Sequence, residues 1–264
     1  MAYHFHQDRK LYFDHQCQNA LEYVIPFVEA KKPFTPGMKV LEIGCGEGGV
    51  VQAFALRGCQ VTGVELDVPK YEQARVSLED FISTGQVRLF QKNIYDVDFL
   101  NDPESRFDLI VLKDVIEHIH DQPRLMRAMQ GYLRPGGMIF FGFPPWHMPF
   151  GGHQQICEGG LLSRLPWFHL LPWPLYKAVL RWGKESQETI DSLRDIWETR
   201  ITIGQFERYA RETGYRKVHE KLYLVNPIYR FKFGLAPREQ FPLIGKIPYL
   251  RNFVTTCGYY LLQR

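Results

Sequence analysis

The residues best suited to chemistry begin with a glycine-rich turn, Gly44-Cys45-Gly46-Glu47-Gly48-Gly49. It follows an apolar segment, Met38 to Ile43, and precedes a helical pattern from Val50 to Arg57. A turn of this kind exposes backbone N–H groups at the start of a helix, where a polar or anionic ligand group binds. The spacing satisfies GxGxxG as well as the tighter GxGxG, so it predicts a nucleoside cofactor without excluding a dinucleotide.

Two acidic residues beside this turn favour a cationic nucleoside. Glu42 stands two residues before Gly44, where a carboxylate would repel a pyrophosphate but suit the ammonium group of S-adenosylmethionine (SAM). Glu65 ends the second predicted strand about 20 residues after Gly44, the spacing at which a carboxylate accepts hydrogen bonds from ribose hydroxyls. NAD-binding proteins share this second feature. The regular alternation of strands and helices stops after Phe143, however, and leaves no second half to hold a nicotinamide.

A second polar group, Asp114, Glu117 and His118, follows the fourth predicted strand. On a helical turn these residues share one face through i,i+3 and i,i+4 spacing, which suits a divalent cation. Bracing of the neighbouring helix is our first interpretation of this group, and metal binding is the alternative. Whether a metal is used therefore stays open.

Three histidines are candidate general bases. His147 and His153 follow the fifth predicted strand and His118 follows the fourth, so all three are expected at the ligand edge of the sheet. A neutral imidazole can accept the proton of a hydroxyl group that acts as a nucleophile. His153 is our first choice and His118 the second. For each one, the alternative is a histidine that only makes hydrogen bonds.

The apolar pattern places these groups on alternating strands and helices. Strands are predicted at 38–43, 61–65, 87–91, 107–112, 138–143, 217–225 and 253–262, with helices at 50–57, 68–83, 123–133 and 203–213. This predicts a doubly wound, mostly parallel, seven-stranded α/β sheet with helices on both faces. An N-terminal helical segment, 1–35, precedes the cofactor-binding domain, 36–264.

Two insertions, 144–200 and 227–251, interrupt the alternation. Both start at the ligand edge, since the final strand is expected to return antiparallel. We expect them to form lids over the site through their aromatic residues: Trp146, Phe150, Trp167, Phe168, Trp173, Tyr176 and Trp182 from the first, and Tyr229, Phe231 and Phe233 from the second. A small separate core, or an oligomer interface, is the alternative. The oligomeric state is not predicted.

The composition bears on the location of the protein and on its partners. The five cysteines, Cys17, Cys45, Cys59, Cys157 and Cys257, form no CxxC pair, so neither a disulfide framework nor a zinc site is indicated and a cytoplasmic location is expected. A net charge of +3 without a dense basic cluster argues against a nucleic-acid partner. No signal peptide is recognisable, and prolines and charges break the most apolar stretch, 161–182.

These motifs together resemble the class I SAM-dependent methyltransferases, within them the small-molecule group that includes the ubiquinone-pathway O-methyltransferases. Three segments within 38–143 carry the resemblance: Leu41-Glu42-Ile43-Gly44-Cys45-Gly46-Glu47-Gly48, Val64-Glu65-Leu66-Asp67 and Leu133-Arg134-Pro135-Gly136-Gly137. It implies a Rossmann-like fold with SAM as cofactor. The expected cofactor-binding residues are Glu42, Gly44, Cys45, Gly46, Gly48, Glu65, Leu66, Asn93, Ile94, Leu112 and Lys113; Asn93 stands where the family more often has Asp.

The expected reaction is methyl transfer to an oxygen of a small hydrophobic or aromatic acceptor. Such a transfer requires alignment, a dry pocket and removal of one proton. Methylation of RNA or protein is one alternative. Another is a non-catalytic module that binds SAM, or a module in which the aromatic insertion makes a peripheral contact with a membrane surface.

Overall fold

The centre of the protein is one eight-stranded sheet, seen in a computed structural model that describes residues 8–97 and 105–264. The strands are β1 (Lys39–Ile43), β2 (Gln60–Glu65), β3 (Val87–Gln91), β4 (Phe107–Lys113), β5 (Leu133–Phe143), β6 (Arg216–Val225), β7 (Arg238–Glu239) and β8 (Cys257–Gln263). Their order is β3-β2-β1-β4-β5-β8-β6-β7. The first five strands pair in parallel, whereas β8 runs antiparallel to β5 and β6. The doubly wound α/β fold and its antiparallel last strand are confirmed.

Helices cover both faces of the sheet. They are α1 (Arg9–Asn19), α2 (Ile25–Glu29), α3 (Gly49–Leu56), α4 (Val68–Ser77), α5 (Glu79–Ser83), α6 (Gln122–Tyr132), α7 (Trp173–Trp182), α8 (Gln187–Thr199), α9 (Ile203–Glu212), α10 (Tyr229–Phe233), α11 (Pro242–Gly245) and α12 (Leu250–Val254). Side chains cap the N-termini of several helices. Asp67 accepts from Lys70 N at the start of α4, and Asp121 accepts from Arg124 N at the start of α6. Across 8–97 and 105–264, no helix has the length and apolarity needed to cross a membrane.

The sheet is buried between two hydrophobic cores. Neighbouring residues of β1 divide between them: Val40 packs with α1 and α3, and Leu41 packs with α6 and α9. Because side chains alternate along a strand, a strand covered on both faces is apolar throughout. This explains the near-continuous apolar runs of the sequence.

A close approach at Gly49 fixes α1 beside the glycine-rich turn. A Cβ at Gly49 would clash with the carbonyl oxygen of Phe13, so only glycine admits the backbone of α1 at this distance. The contact brings one face of α1 to the carboxyl ends of the strands, where the candidate site lies.

Apart from shifts of one or two residues at their ends, the strands and the helices that alternate with them differ from the predictions in four places. The sheet has an eighth strand because β7, inside the second insertion, pairs with β6. The helix predicted over 68–83 is broken at Leu78, which has non-helical dihedral angles. The last strand begins at Cys257, since 250–254 is helical. The predicted turn at Pro135-Gly136-Gly137 lies within β5 as an irregularity of its pairing with β4.

Candidate active site

A cavity of about 580 Å³ opens at the carboxyl ends of β1, β2 and β4. The strand order reverses between β1 and β4, which is where doubly wound sheets bind ligands. The predicted cofactor-binding residues that line the cavity are Glu42, Gly44, Cys45, Gly46, Glu65, Leu66, Asn93, Ile94 and Lys113. Gly48 and Leu112 are not among the lining residues.

Gly48 and Leu112, which were also predicted to bind the cofactor, lie beside the cavity without lining it. Gly48 has a φ of 91°, and a Cβ there would lie 2.6 Å from the side chain of Leu78, so this glycine faces the helical layer. Leu112 is buried in the core beneath α6. Periodicity shows that both residues are near the ligand edge, but it does not show which way they face.

Glu65 fastens the glycine-rich turn to the end of β2. Its Oε2 accepts from Gly46 N at 2.7 Å, and its Oε1 accepts from Leu66 N and Asp67 N, each at 2.8 Å. A carboxylate that accepts three backbone N–H groups has a fixed orientation. Each carboxylate can accept about four hydrogen bonds. Glu65 therefore keeps capacity for a hydroxyl donor from the cavity.

Glu42 carries an unsatisfied carboxyl oxygen in the same cavity. The residue is only 2% exposed, and its Oε2 has no hydrogen-bond partner among the described residues. Burial raises the pKa of this carboxyl well above its ordinary value, although Lys113 opposes the rise. A buried oxygen without a partner costs free energy, and a cationic donor in the cavity would remove that cost.

Lys113 and Asp114 form an ion pair at the end of β4, with 2.5 Å between Nζ and Oδ2. Although burial opposes it, the Asp114 carboxylate keeps the pKa of Lys113 above its ordinary value. Asp114 has a φ of 56°, a left-handed conformation that costs free energy in a residue other than glycine. Because Asp114 balances its charge, Lys113 does not repel a cation from the cavity.

The structure brings His118 and His153 together and leaves His147 apart. His118 lines the cavity, and its ring centroid lies 5.2 Å from that of His153. Burial and the positive charge of Lys70 lower the pKa of His118. Burial is also the main cause that lowers the pKa of His153, to about 3. His147 stacks on Phe253 with 5.0 Å between ring centroids.

Glu117 lies between the two adjacent histidines and the core. Both of its carboxyl oxygens are buried without a hydrogen-bond partner in the described part of the chain, and its Oε1 is 4.0 Å from His153 Nε2. Burial and the Asp114 carboxylate raise the pKa of Glu117. One atom from each of Glu117, His118 and His153 lies within 4.8 Å of the others. This spacing suits a cation, but burial and the Asp114 carboxylate disfavour the charged form of Glu117 that a metal ligand needs, and we assign no metal.

Sequence reasoning missed the contribution of α1. Tyr12 and Gln16 line the cavity, and Gln16 Nε2 donates to Tyr12 Oη at 2.7 Å. Gln16 Oε1 is buried and accepts no hydrogen bond from residues 8–97 or 105–264. The i,i+4 spacing of this pair is visible in the sequence, whereas the docking of α1 at Gly49 is not.

Lys232 of α10 is a second residue that the motifs did not indicate. Its Nζ lies 5.0 Å from the ring centroid of Tyr12. Burial lowers the pKa of Lys232 to about 8. The second insertion therefore reaches the wall of the cavity through a cation.

None of the ten aromatic residues predicted to form a lid is among the lining residues of the cavity. Phe168 and Tyr176 instead belong to a separate core in the first insertion, and Trp173 packs against it. For these three, the alternative of a small separate core is correct. The reason is that α7 and α8 pack against each other and bury their apolar faces mutually.

Comparisons with known proteins agree with this geometry. A family model described as methyltransferase domain matches residues 13–220. The ubiquinone biosynthesis O-methyltransferase of Leptothrix cholodnii is 30% identical over 104 residues, which cover 39% of this chain and 43% of that protein. The matched part is thus less than half the length of this relative.

Two solved structures share the fold. Phosphoethanolamine N-methyltransferase 2 of Haemonchus contortus, in complex with SAM, has a TM-score of 0.58 at 15% identity, with 100% of this chain and 60% of that chain covered. Geranyl diphosphate methyltransferase, also with SAM, has a TM-score of 0.56 at 15% identity, with 95% and 85% covered.

The chain belongs to the methyltransferase-domain family, and its Rossmann-like fold is that of the SAM-dependent methyltransferases. The residues of the cavity fit this cofactor. An unpartnered Glu42 oxygen suits an ammonium group, the oriented Glu65 carboxylate suits ribose hydroxyls, and neither arrangement suits a pyrophosphate.

Proposed function

We propose that the protein transfers the methyl group of SAM to a hydroxyl oxygen of a small apolar or aromatic acceptor. The observation that carries this proposal is the pair of carboxyl groups in one cavity, Glu42 with an unsatisfied buried oxygen and Glu65 held by three backbone N–H groups. The relatives named ubiquinone biosynthesis O-methyltransferase favour oxygen as the atom that is methylated.

Different residues in the wall of the cavity would bind different parts of SAM. Glu42 would accept from the ammonium group of the cofactor. Gln16 Oε1 of α1, which accepts no hydrogen bond from the described residues, is available to a second donor. Glu65 would accept from the ribose, while Asn93 and Ile94 would lie against the adenine. When bound, SAM supplies an electrophilic methyl group on a sulfonium.

His118 is best placed to take the proton of the acceptor. It lines the cavity and is neutral at pH 7, because burial and Lys70 lower its pKa. His153, the first choice from sequence, lies behind it, and a pKa of about 3 makes His153 a weak base at neutral pH. We therefore place His118 first and give His153 the role of holding the ring of His118.

Binding and turnover test this proposal separately. Calorimetry should show SAM binding and no NAD binding. Glu65→Ala should weaken SAM by roughly 1.5–3 kcal/mol, the cost of losing charge-assisted hydrogen bonds to the ribose. Asp67→Ala, which removes a nearby carboxylate that caps α4, is the matched control for charge and loop stability.

A methyl-transfer screen over phenols, polyketides and lipid precursors then identifies the acceptor. SAM binding without turnover on any acceptor would contradict the proposed reaction and favour a non-catalytic SAM-binding module. NAD binding at the affinity of SAM would contradict the assignment of the cavity itself.

A further inference from the structure

The segment 229–253 reverses the usual distribution of polar and apolar side chains. Its buried residues are the polar Gln240 and Asn252, whereas Leu243 is 80% exposed and Tyr249 is 79% exposed. Exposed large apolar side chains are ordinary when scattered but informative when contiguous. Here they recur through one short segment.

We call this surface the apolar rim. It consists of eight exposed large hydrophobic residues, Phe233, Leu235, Phe241, Leu243, Ile247, Tyr249, Leu250 and Phe253. A group of exposed apolar side chains in one short segment indicates a contact with another molecule or with a membrane. The rim lies outside the residues 13–220 that match the methyltransferase domain.

Hydrogen bonds and an ion pair hold the rim in place. Gln240 Nε2 donates to Val254 O at 2.8 Å, and Asn252 Oδ1 accepts from Ile203 N at 2.8 Å. Arg251 pairs with Glu207 at 2.5 Å. Buried polar groups thus anchor the segment, and its apolar side chains are directed outward.

Tyr249, one of the exposed residues of the rim, also has a strained backbone conformation. It has a φ of 66° and a ψ of −58°, a region that non-glycine residues rarely occupy. Strained residues of this kind concentrate where a side chain must be directed at a ligand or partner.

The charge of the second insertion favours an anionic partner. Residues 227–251 contain five Lys or Arg and one Glu, whereas the first insertion, 144–200, has six of each sign. Two of the five, Arg230 and Arg251, pair with glutamates elsewhere. Arg238 and Lys246 are exposed, and Lys246 lies in sequence among the apolar rim residues.

The two ends of the segment contact different parts of the molecule. Phe253 stacks on His147, and the carbonyl oxygen of His147 accepts from Trp167 Nε1 at 3.2 Å. Trp167 is itself 44% exposed. At the other end of the segment, Lys232 contacts Tyr12 in the wall of the cavity.

We propose that the apolar rim docks on the surface of an anionic lipid bilayer, with Arg238 and Lys246 at the headgroups and the apolar side chains at the acyl boundary. An apolar acceptor would then reach the cavity from the membrane. This last step rests on the proposed function, whereas the docking does not.

Vesicle co-sedimentation of the full chain, without SAM or acceptor, tests the docking. We expect binding to phosphatidylcholine vesicles that contain phosphatidylglycerol and weaker binding to phosphatidylcholine alone. The double substitution Leu243→Asn and Tyr249→Asn should lower partitioning by at least about tenfold, since each removes an inserted side chain.

The matched control is Leu56→Asn with Val76→Asn. These side chains are 55% and 71% exposed, on α3 and α4 and outside the rim. Calorimetry with SAM and thermal melting verify that all variants are folded.

Three results would overturn the proposal: no binding to anionic vesicles, equal loss of binding in the control, or a dimer in sedimentation velocity that the rim substitutions dissociate. The last result would assign the rim to a second copy of the chain. Absent methyl transfer with intact vesicle binding would contradict only the proposed function.

Discussion

The two insertions are both rich in aromatic residues, yet they bury them differently. The first, 144–200, has its own core, in which Tyr176 and Leu180 are fully buried between α7 and α8. The second has its anchors in polar residues and leaves its apolar side chains exposed. Similar composition therefore supports two physical roles, a self-supporting subdomain and an exposed contact surface.

The difference also decides how each insertion reaches the cavity. The first contributes His153, which contacts His118, and the second contributes Lys232, which contacts Tyr12. In both cases a polar side chain approaches the site and the aromatic residues do not line it.

The largest expected effect tests the core of the first insertion. Tyr176→Ala should lower the free energy of unfolding by about 3–5 kcal/mol, because it removes a fully buried aromatic ring. Urea denaturation measures this change, and Tyr176→Phe is the control that keeps the ring. A loss below about 1 kcal/mol would mean that the insertion has no core of its own.

The next effect concerns the contact between the first insertion and the cavity. His118→Ala should lower kcat by about 10²-fold with SAM affinity unchanged, and His153→Ala should lower it less, because His118 lines the cavity. Initial rates at saturating SAM measure both. Loss of activity in EDTA, with rescue by magnesium, would instead make His118 a metal ligand.

A smaller effect tests the polar anchor of the second insertion. Although burial opposes it, hydrogen bonds from Arg251 and Lys217 hold the pKa of Glu207 below its ordinary value of 4.5. The stabilisation is therefore present above pH 4.5 and is lost as the pH falls through the lowered pKa. Glu207→Gln should cost about 1–2 kcal/mol at pH 7 and flatten the acid limb of stability. An unchanged profile in urea titrations would remove Glu207 from the anchor.

The smallest expected effect is on the rim. Leu243→Asn should change the free energy of unfolding by less than about 0.5 kcal/mol, because the side chain is 80% exposed. A destabilisation comparable with that of Tyr176→Ala would show that Leu243 belongs to a buried core. The two insertions would then not differ in how they bury their apolar residues.

The sequence by itself determined the fold and the centre of the site. Glu42, Gly44 and Glu65 are read correctly as cavity residues, because a strand, a glycine turn and a strand-end acid are local features with a fixed relation to the switch point. The antiparallel direction of the last strand was also predicted, whereas its place between β5 and β6 was not.

Tertiary structure alone decided what lies around that centre. Tyr12 reaches the cavity because α1 packs closely at Gly49. His118 is preferred over His153 as the general base because burial lowers the pKa of His153 to about 3. The insertions show the same limit. The sequence alone does not show whether an apolar residue is buried, like Tyr176, or exposed, like Leu243. Burial depends on which distant surfaces meet, and periodicity over a few residues does not contain that information.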